Sequence, residues 1–298
     1  MNDPIAALAD FVDAHPRLFV LTGAGVSTGS GIPGYRDRAG QWQRKQPVTH
    51  QDFLGSEAVR QRYWARSMIG FAVMAGALPN AAHRALAQLE QTGRIAQLVT
   101  QNVDGLHQRA GSRRVTELHG SIHQVVCMGC GAAEPRAAVQ ARLVAANPAF
   151  LGLLAATAPD GDADLEAADF DAFRPPACLS CGGLLKPDVV FYGASVPRVR
   201  ADAAMAALMR ADAVLVAGSS LMVYSGYRFC QRAHAAGKPL AAINFGHTRA
   251  DALLQIKLET DCGAMLGALA DHFAAATGVR STDAARPADS TTEPAFPQ

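Results

Sequence analysis

The stretch LFVLTGAGVSTGSGIPGYRD, Leu18 to Asp37, decides the fold. Leu18 to Leu21 is a short apolar run that feeds directly into Gly23-Ala24-Gly25. A strand followed at once by a glycine turn is how dinucleotide sites in parallel sheets begin. Glycine at such a turn lets backbone N–H groups approach phosphate oxygens without a Cβ in the way. The dehydrogenase fingerprint would need a third glycine where Thr28 stands, and an acidic residue closing a second strand about 20 residues on. Both are missing, which disfavours hydride transfer. Taken alone, the turn also fits any tight strand-to-loop connection.

Working outward, similar buried strands read at Ile95–Val99, Ala213–Ala217 and Leu240–Ile243. Helical spacing reads over residues 3–15 (Ile5, Leu8, Phe11, Val12) and near 80–91, 198–210 and 225–236. Strands alternating with helices predict an α/β fold, a Rossmann-like doubly wound parallel sheet. The expected layout is a discontinuous dinucleotide domain over 1–122 and 187–277, with a helical insertion at 40–75. A small metal module spans 123–186. Turn signals crowd 145–176 (Asn147-Pro148, Ala158 to Gly161, Pro175-Pro176), as in an insertion, and 278–298 reads as a disordered tail.

The chain has 298 residues, 49% apolar and 18% charged, enough to bury a real core. A formal charge of +1 gives no electrostatic case for nucleic acid or anionic membrane. No apolar run reaches the roughly 20 residues of a membrane span. The N-terminus, with three Asp and no Lys or Arg in MNDPIAALADFVDAHP, resembles no targeting peptide. Six cysteines, four in metal spacing, suit a reducing compartment, so a cytoplasmic location is expected.

Those four are Cys127/Cys130 and Cys178/Cys181, two C-x-x-C pairs flanked by glycines. Together they make a tetrahedral S4 shell for one Zn2+, and four thiolates leave no open position, so the ion is structural. TQNVDGLH, Thr100 to His107, places Gln101, Asn102 and Asp104 where a parallel strand ends and the ligand crevice opens. Such groups could hold ribose hydroxyls and a carboxamide, or simply form a polar turn. His119, in ELHG, is a candidate proton acceptor near neutral pH, with His107 and His123 as weaker alternatives.

In this order the segments resemble the sirtuins, the NAD-dependent protein-lysine deacylases. The resemblance runs over about 15–275 and rests on GAGVSTGSGIPGYRD, TQNVDGLH, ELHG, both C-x-x-C pairs, LKPDVVFYG (Leu185–Gly193), AGSSLMVYS (Ala217–Ser225) and INFG (Ile243–Gly246). Tyr35, the QRYWAR run ending at Arg66, GSRRVTE (Gly111–Glu117) and the long insertion resemble the class II branch, which includes the mitochondrial lipoamidase-like sirtuin.

The resemblance implies NAD and an acyl-lysine protein or peptide meeting in a cleft between the two domains. It implies that Gly23, Ala24, Gly25 and Ser219 face the phosphates. Arg36, Gln101, Asn102 and Asp104 would surround the nicotinamide and its ribose, with Ser27, Ile32 and Tyr35 also on the cofactor. Gly218, Ser220, Asn244, Phe245, Gly246 and Cys262 would border the adenosine. Val190, Phe191, Tyr192, Leu221 and Val223 would clasp the substrate backbone as an added strand. Gly34 stands where most relatives carry Asp, a departure in the cofactor loop.

Sirtuin-type chemistry further implies that the acyl oxygen displaces nicotinamide from the ribose. His119 then takes a ribose hydroxyl proton, Asn102 and Asp104 orient ribose and water, and O-acyl-ADP-ribose and free lysine leave. Tyr63 and Arg66, three apart on a helix, would hold an acidic acyl tail, as such a pair does in relatives preferring succinyl or glutaryl groups. Acetyl, lipoyl and acid-tailed groups stay open. The alternatives are a protein mono-ADP-ribosyltransferase using the same site and a non-enzymatic zinc-ribbon adaptor.

Overall fold

The computed structural model describes residues 3–35, 41, 47–151 and 170–277. Six strands form a parallel sheet: β1 (Leu18–Thr22), β2 (Ile95–Thr100), β3 (Val115–Glu117), β7 (Ala213–Ala217), β8 (Leu240–Ile243) and β9 (Ile256–Leu258). Three more, β4 (Gly120–Cys127), β5 (Ala133–Pro135) and β6 (Leu185–Val189), form an antiparallel sheet of their own. The helices are α1 (Pro4–Ala14), α2 (His50–Gly55), α3 (Glu57–Gly76), α4 (Ala81–Gln91), α5 (Leu106–Arg109), α6 (Arg136–Ala146), α7 (Arg198–Arg210), α8 (Tyr224–Ala235) and α9 (Cys262–Thr277).

β1 and β7 are buried at every position, because helices cover both faces of the parallel sheet. Successive side chains alternate between faces. Leu18 and Val20 therefore join Leu8, Leu86, Leu266 and Phe273 in one core, which α1, α4 and α9 contribute. Phe19 and Leu21 face the other way, toward Leu208 of α7 and Phe229 and Cys230 of α8. The four strands expected from apolar runs lie where the sequence placed them, within a residue at their ends.

The sheet order is β3-β2-β1-β7-β8-β9. From β1 the chain winds outward to β2 and β3, then returns to β7 on the other side and winds outward again. The reversal between β1 and β7 is the topological switch point, where the crevice beyond the carboxyl ends takes ligands in open α/β sheets.

A third core joins the antiparallel sheet to α2, α3 and α6: Phe53, Tyr63, Trp64, Met68, Val125, Val139, Leu143, Phe173 and Leu185. Arg136 is buried inside it, its guanidinium 4.3 Å from the Phe71 ring and donating to the Ser67 carbonyl at 3.2 Å. After Cys130 the described chain continues through β5 and α6 and reaches the turn-rich stretch only at Asn147. The Ala158–Asp162 turn and the 278–298 tail lie outside the described residues. No helix among the described residues is long and apolar enough to cross a membrane.

Candidate active site

Both switch-point strands end in glycine turns, and the two turns pack backbone to backbone. The Gly25 N–H donates to the Gly218 carbonyl at 2.8 Å. A Cβ on Gly25 would stand 2.9 Å from the Gly218 Cα, and one on Gly23 would stand 2.8 Å from the Ser219 Cβ. Gly218 has φ +59°, and a Cβ there would meet the Val26 nitrogen at 2.3 Å. Here glycine is required first by the neighbouring loop. The close approach leaves a cradle of backbone and small side chains, which is what a phosphate needs.

The polar run after β2 enters the same crevice. Gln101 Nε2 donates to Ser219 Oγ at 2.8 Å, tying the loop after β2 to the loop after β7. Asn102 Nδ2 donates to the Gly23 carbonyl (3.1 Å) and to Ser27 Oγ (3.0 Å). Ser27 in turn donates to Asp104 Oδ2 at 2.7 Å, and the Leu106 N–H donates to Asp104 Oδ1 at 2.9 Å. Asp104 is buried, and both its oxygens are engaged. Behind it stand two buried histidines. His83 accepts the Asn80 N–H on Nδ1, so its Nε2–H points at Ser27 Oγ, 3.5 Å away. His107 Nε2 pairs with Thr22 Oγ1 at 2.9 Å, its ring 4.8 Å from that of His83. Burial drives His83 down to about 4 and His107 down to about 3.

His119 sits between β3 and β4, where the parallel sheet hands over to the antiparallel one. Its Nδ1 lies 3.0 Å from the Gln101 carbonyl, which can only accept, so the proton resides on Nδ1. Nε2 therefore presents its lone pair, and Ser225 Oγ lies 2.7 Å away as donor. Burial lowers the imidazole to about 4, the Gln101 carbonyl works against that, and the Arg228 guanidinium adds to it. The ring is neutral at physiological pH and its tautomer is fixed.

These groups line one cavity of about 720 Å³, within the size range of small-molecule sites. Its walls include Gly23 to Gly25, Ser27, Ile32, Tyr35, Gln101, Asn102, Asp104 and His119. Gly218 to Ser220, Asn244, Phe245 and Cys262 close the other half, and Gly34 also faces it. Val190, Phe191 and Tyr192 line one wall, with Leu221 and Val223 on another. Leu221 is the one non-glycine residue among those described with positive φ, +58°, and its N–H is held by Ser219 Oγ at 3.2 Å.

Among the described residues, two expected ones, Gly246 and Arg66, do not line the cavity, although Tyr63 does; Arg36 lies outside the described residues. His107 and His123 stay behind the wall: His107 is buried on Thr22, and His123 Nε2 pairs with the Asp104 carbonyl at 3.0 Å. Ser225 and Arg228 line the cavity too; sequence reading gives the first no role beyond ending the AGSSLMVYS run and does not single out the second. They stand three apart on α8, a spacing that puts them on one face.

The Sγ atoms of Cys127, Cys130, Cys178 and Cys181 all lie within 4.8 Å of one another. Two of the distances, Cys127–Cys181 at 3.5 Å and Cys130–Cys178 at 3.7 Å, are far too long for disulfides. They match the ~3.8 Å edge of a tetrahedron with ~2.3 Å Zn–S bonds. Backbone N–H groups of Gly129 and Cys130 donate to Cys127 Sγ, and that of Gly183 to Cys181 Sγ, a donor set suited to thiolates. Gly131 (φ +73°) and Gly182 (φ +71°) shape the two turns. The four sulfurs fit a zinc ion.

The Sir2 family model matches residues 23–225. The NAD-dependent protein deacetylase 2 of Bradyrhizobium diazoefficiens is 57% identical over 270 residues, covering 90% of this chain and 99% of that protein. The mitochondrial NAD-dependent protein lipoamidase sirtuin-4 of Bos taurus is 45% identical over 267 residues, 89% of this chain and 85% of that protein. Among solved structures, the Sir2–p53 peptide–NAD+ complex superposes with a TM-score of 0.73 at 29% identity, covering 94% of this chain and all of that one.

Proposed function

The chain belongs to the Sir2 family, and from that premise we propose how its cavity works as an NAD-dependent protein deacylase. NAD is the co-substrate, one zinc ion is structural, and the second substrate is an acylated lysine of a protein. The carrying observation is His119. It is neutral, its Nδ1–H is pinned on the Gln101 carbonyl, and its Nε2 faces a cavity that the switch-point loops close.

Bound dinucleotide supplies a ribose carbon from which a pyridinium can depart. The glycine cradle of Gly23 to Gly25 with Gly218 and Ser219 holds its phosphates, and Asn244, Phe245 and Cys262 flank the adenosine half. Asn102 steers the nicotinamide ribose. Asp104 acts at one remove, because its oxygens already serve Ser27 and the Leu106 N–H; it fixes the loop that carries Gln101 and Asn102. The peptide lies between Val190–Tyr192 and Leu221–Val223, and His119 Nε2 receives a ribose hydroxyl proton. The domain boundaries expected from sequence belong to this reading, with β4 and β6 bridging to the zinc module. So does a cytoplasmic location, supported by thiolates kept for metal.

His119→Ala tests the assignment. Turnover of an acyl-peptide should fall by about 10²- to 10⁴-fold, as expected on losing a general base. NAD binding, measured by calorimetry, should remain. Near-normal formation of O-acyl-ADP-ribose and free lysine by the variant would refute the role. Acetyl-, succinyl-, methylglutaryl- and lipoyl-peptides compared at fixed NAD identify the acyl group. Tyr63 faces the cavity and Arg66 does not, so we expect Arg66→Ala to leave the acid-tailed substrates' rank unchanged.

A further inference from the structure

The lone pair of the His119 base is already occupied. Ser225 Oγ donates to Nε2 at 2.7 Å, and the opposite ring nitrogen is held by the Gln101 carbonyl at 3.0 Å. A substrate hydroxyl must therefore either push Ser225 aside or reach the imidazole through it. A serine hydroxyl has one proton to give and two lone pairs with which to accept. Ser225 spends its proton on Nε2, lines the cavity, and is half-buried, so its lone pairs remain for a second donor on the cavity side.

We propose that Ser225 is the proton relay between the substrate ribose and His119, a residue of the reaction that the family resemblance did not single out. The inference rests on the deacylase reading above. In the relayed step the ribose O–H bond breaks and its proton forms a bond to Ser225 Oγ. The original Oγ–H proton moves to His119 Nε2. The electron pair left on the ribose oxygen makes the bond to the imidate carbon, whose C=N π bond breaks, its electron pair moving onto the lysine nitrogen and neutralising the charge there. Serine ends as a neutral hydroxyl and histidine as the imidazolium, so one proton has moved and no other reactant is needed.

The surroundings suit a relay better than a fixed clamp. Ser225 is the second residue of α8, and His119 is the partner its side chain is seen to engage. One turn on, Arg228 faces the same cavity with Nε and Nη2 buried and without partners among the described residues. Burial first, and the Arg228 charge second, keep the resting imidazole neutral, so Nε2 carries a lone pair that can accept from Ser225. Gln101, which locks Nδ1, is itself locked to Thr22 and Ser219, so the ring cannot turn to present its other nitrogen.

The two geometries predict opposite signs for one substitution. If the hydroxyl only caps the base, Ser225→Ala uncovers Nε2 and kcat holds or rises. If it relays, kcat falls by about tenfold or more, a share of the usual general-base factor, with a much smaller change in KM for NAD. Ser225→Thr, which keeps the hydroxyl, should recover most of the loss. In a His119→Ala background the same substitution should cost nothing further.

A second readout needs neither NAD nor peptide. The ¹⁵N resonance of His119 Nε2 should shift in Ser225→Ala, as a hydrogen-bond acceptor does when its donor is removed. A kcat that is unchanged or raised overturns the relay, as does an unmoved resonance. If the wild-type protein showed no acyl-peptide-dependent nicotinamide release, the deacylase reading would fail instead, while the resonance would still report on the Ser225 contact.

Discussion

Lowering the pH should destabilise this protein in part through His107, beside the similarly lowered His83 and His119, and the size of the His107 share follows from its surroundings. The ring is buried, Nε2 is spent on Thr22 Oγ1, and Nδ1 is a buried atom with no partner among the described residues. Burial, with a further push from His83, lowers it from 6.5 to about 3. A lowered folded-state value means that the unfolded chain binds the extra proton, so stability is highest above pH 6.5 and drains away as the pH falls. From pH 7 to 5 an unfolded histidine gains about 2 kcal/mol from protonation, whereas His107 in the fold gains almost nothing. The assay is urea unfolding of wild type and His107→Gln at both pH values, with zinc present throughout. Gln can keep the Thr22 contact but cannot take up a proton. Zinc loss at low pH contributes equally to both proteins and cancels in the difference, because no cysteine of the cluster touches His107, which bonds Thr22 and packs on His83. Wild type should lose about 2 kcal/mol more than the variant over that interval. Equal losses would refute the claim that His107 is held neutral.

Gly25→Ala should cost about 1–3 kcal/mol and weaken NAD binding, since its Cβ meets the Gly218 backbone at 2.9 Å and a well-packed contact must open. Gly31→Ala is the control: φ is +81° but no atom lies within 4 Å, so only backbone strain of about 1 kcal/mol applies and NAD affinity should hold. Unfolding curves and calorimetry separate the two. Metal analysis should find one zinc per chain, and Cys130→Ser should lower the melting temperature by loosening the core that holds Cys127, Cys178 and Trp64. A zinc-free chain with unchanged melting would contradict the S4 site.

Much of the fold was legible because the parallel strands are buried on both faces. Such strands read as unbroken apolar runs, and Leu18–Leu21 and Ala213–Ala217 could hardly be anything else. The short edge strands β3 and β9 lack that signature, since every residue in them is only half-buried. The zinc site was legible from spacing alone. The cavity was legible in its loops, where Gly23, Gln101 and Asn102 each follow a recognisable strand, while His119 was marked only by its ELHG motif. Ser225 and Arg228 were not, because their role depends on α8 being brought against β3–β4 from over 100 residues away, and nothing local marks that encounter. From α3, Tyr63 and Met74 reach the cavity and Arg66 does not, a difference that three-residue spacing alone does not foretell.

The fate of labelled NAD tests the central claim most directly. Incubated with an acyl-peptide and NAD carrying label in its ADP-ribose, the protein should place the label in a small O-acyl-ADP-ribose. One nicotinamide and one free lysine should appear for each, and His119→Ala should slow formation of the O-acyl product and free lysine by about 10²- to 10⁴-fold. Label retained stably on protein, with the acyl-lysine left intact, would contradict the account and mark the chain as an ADP-ribosyltransferase.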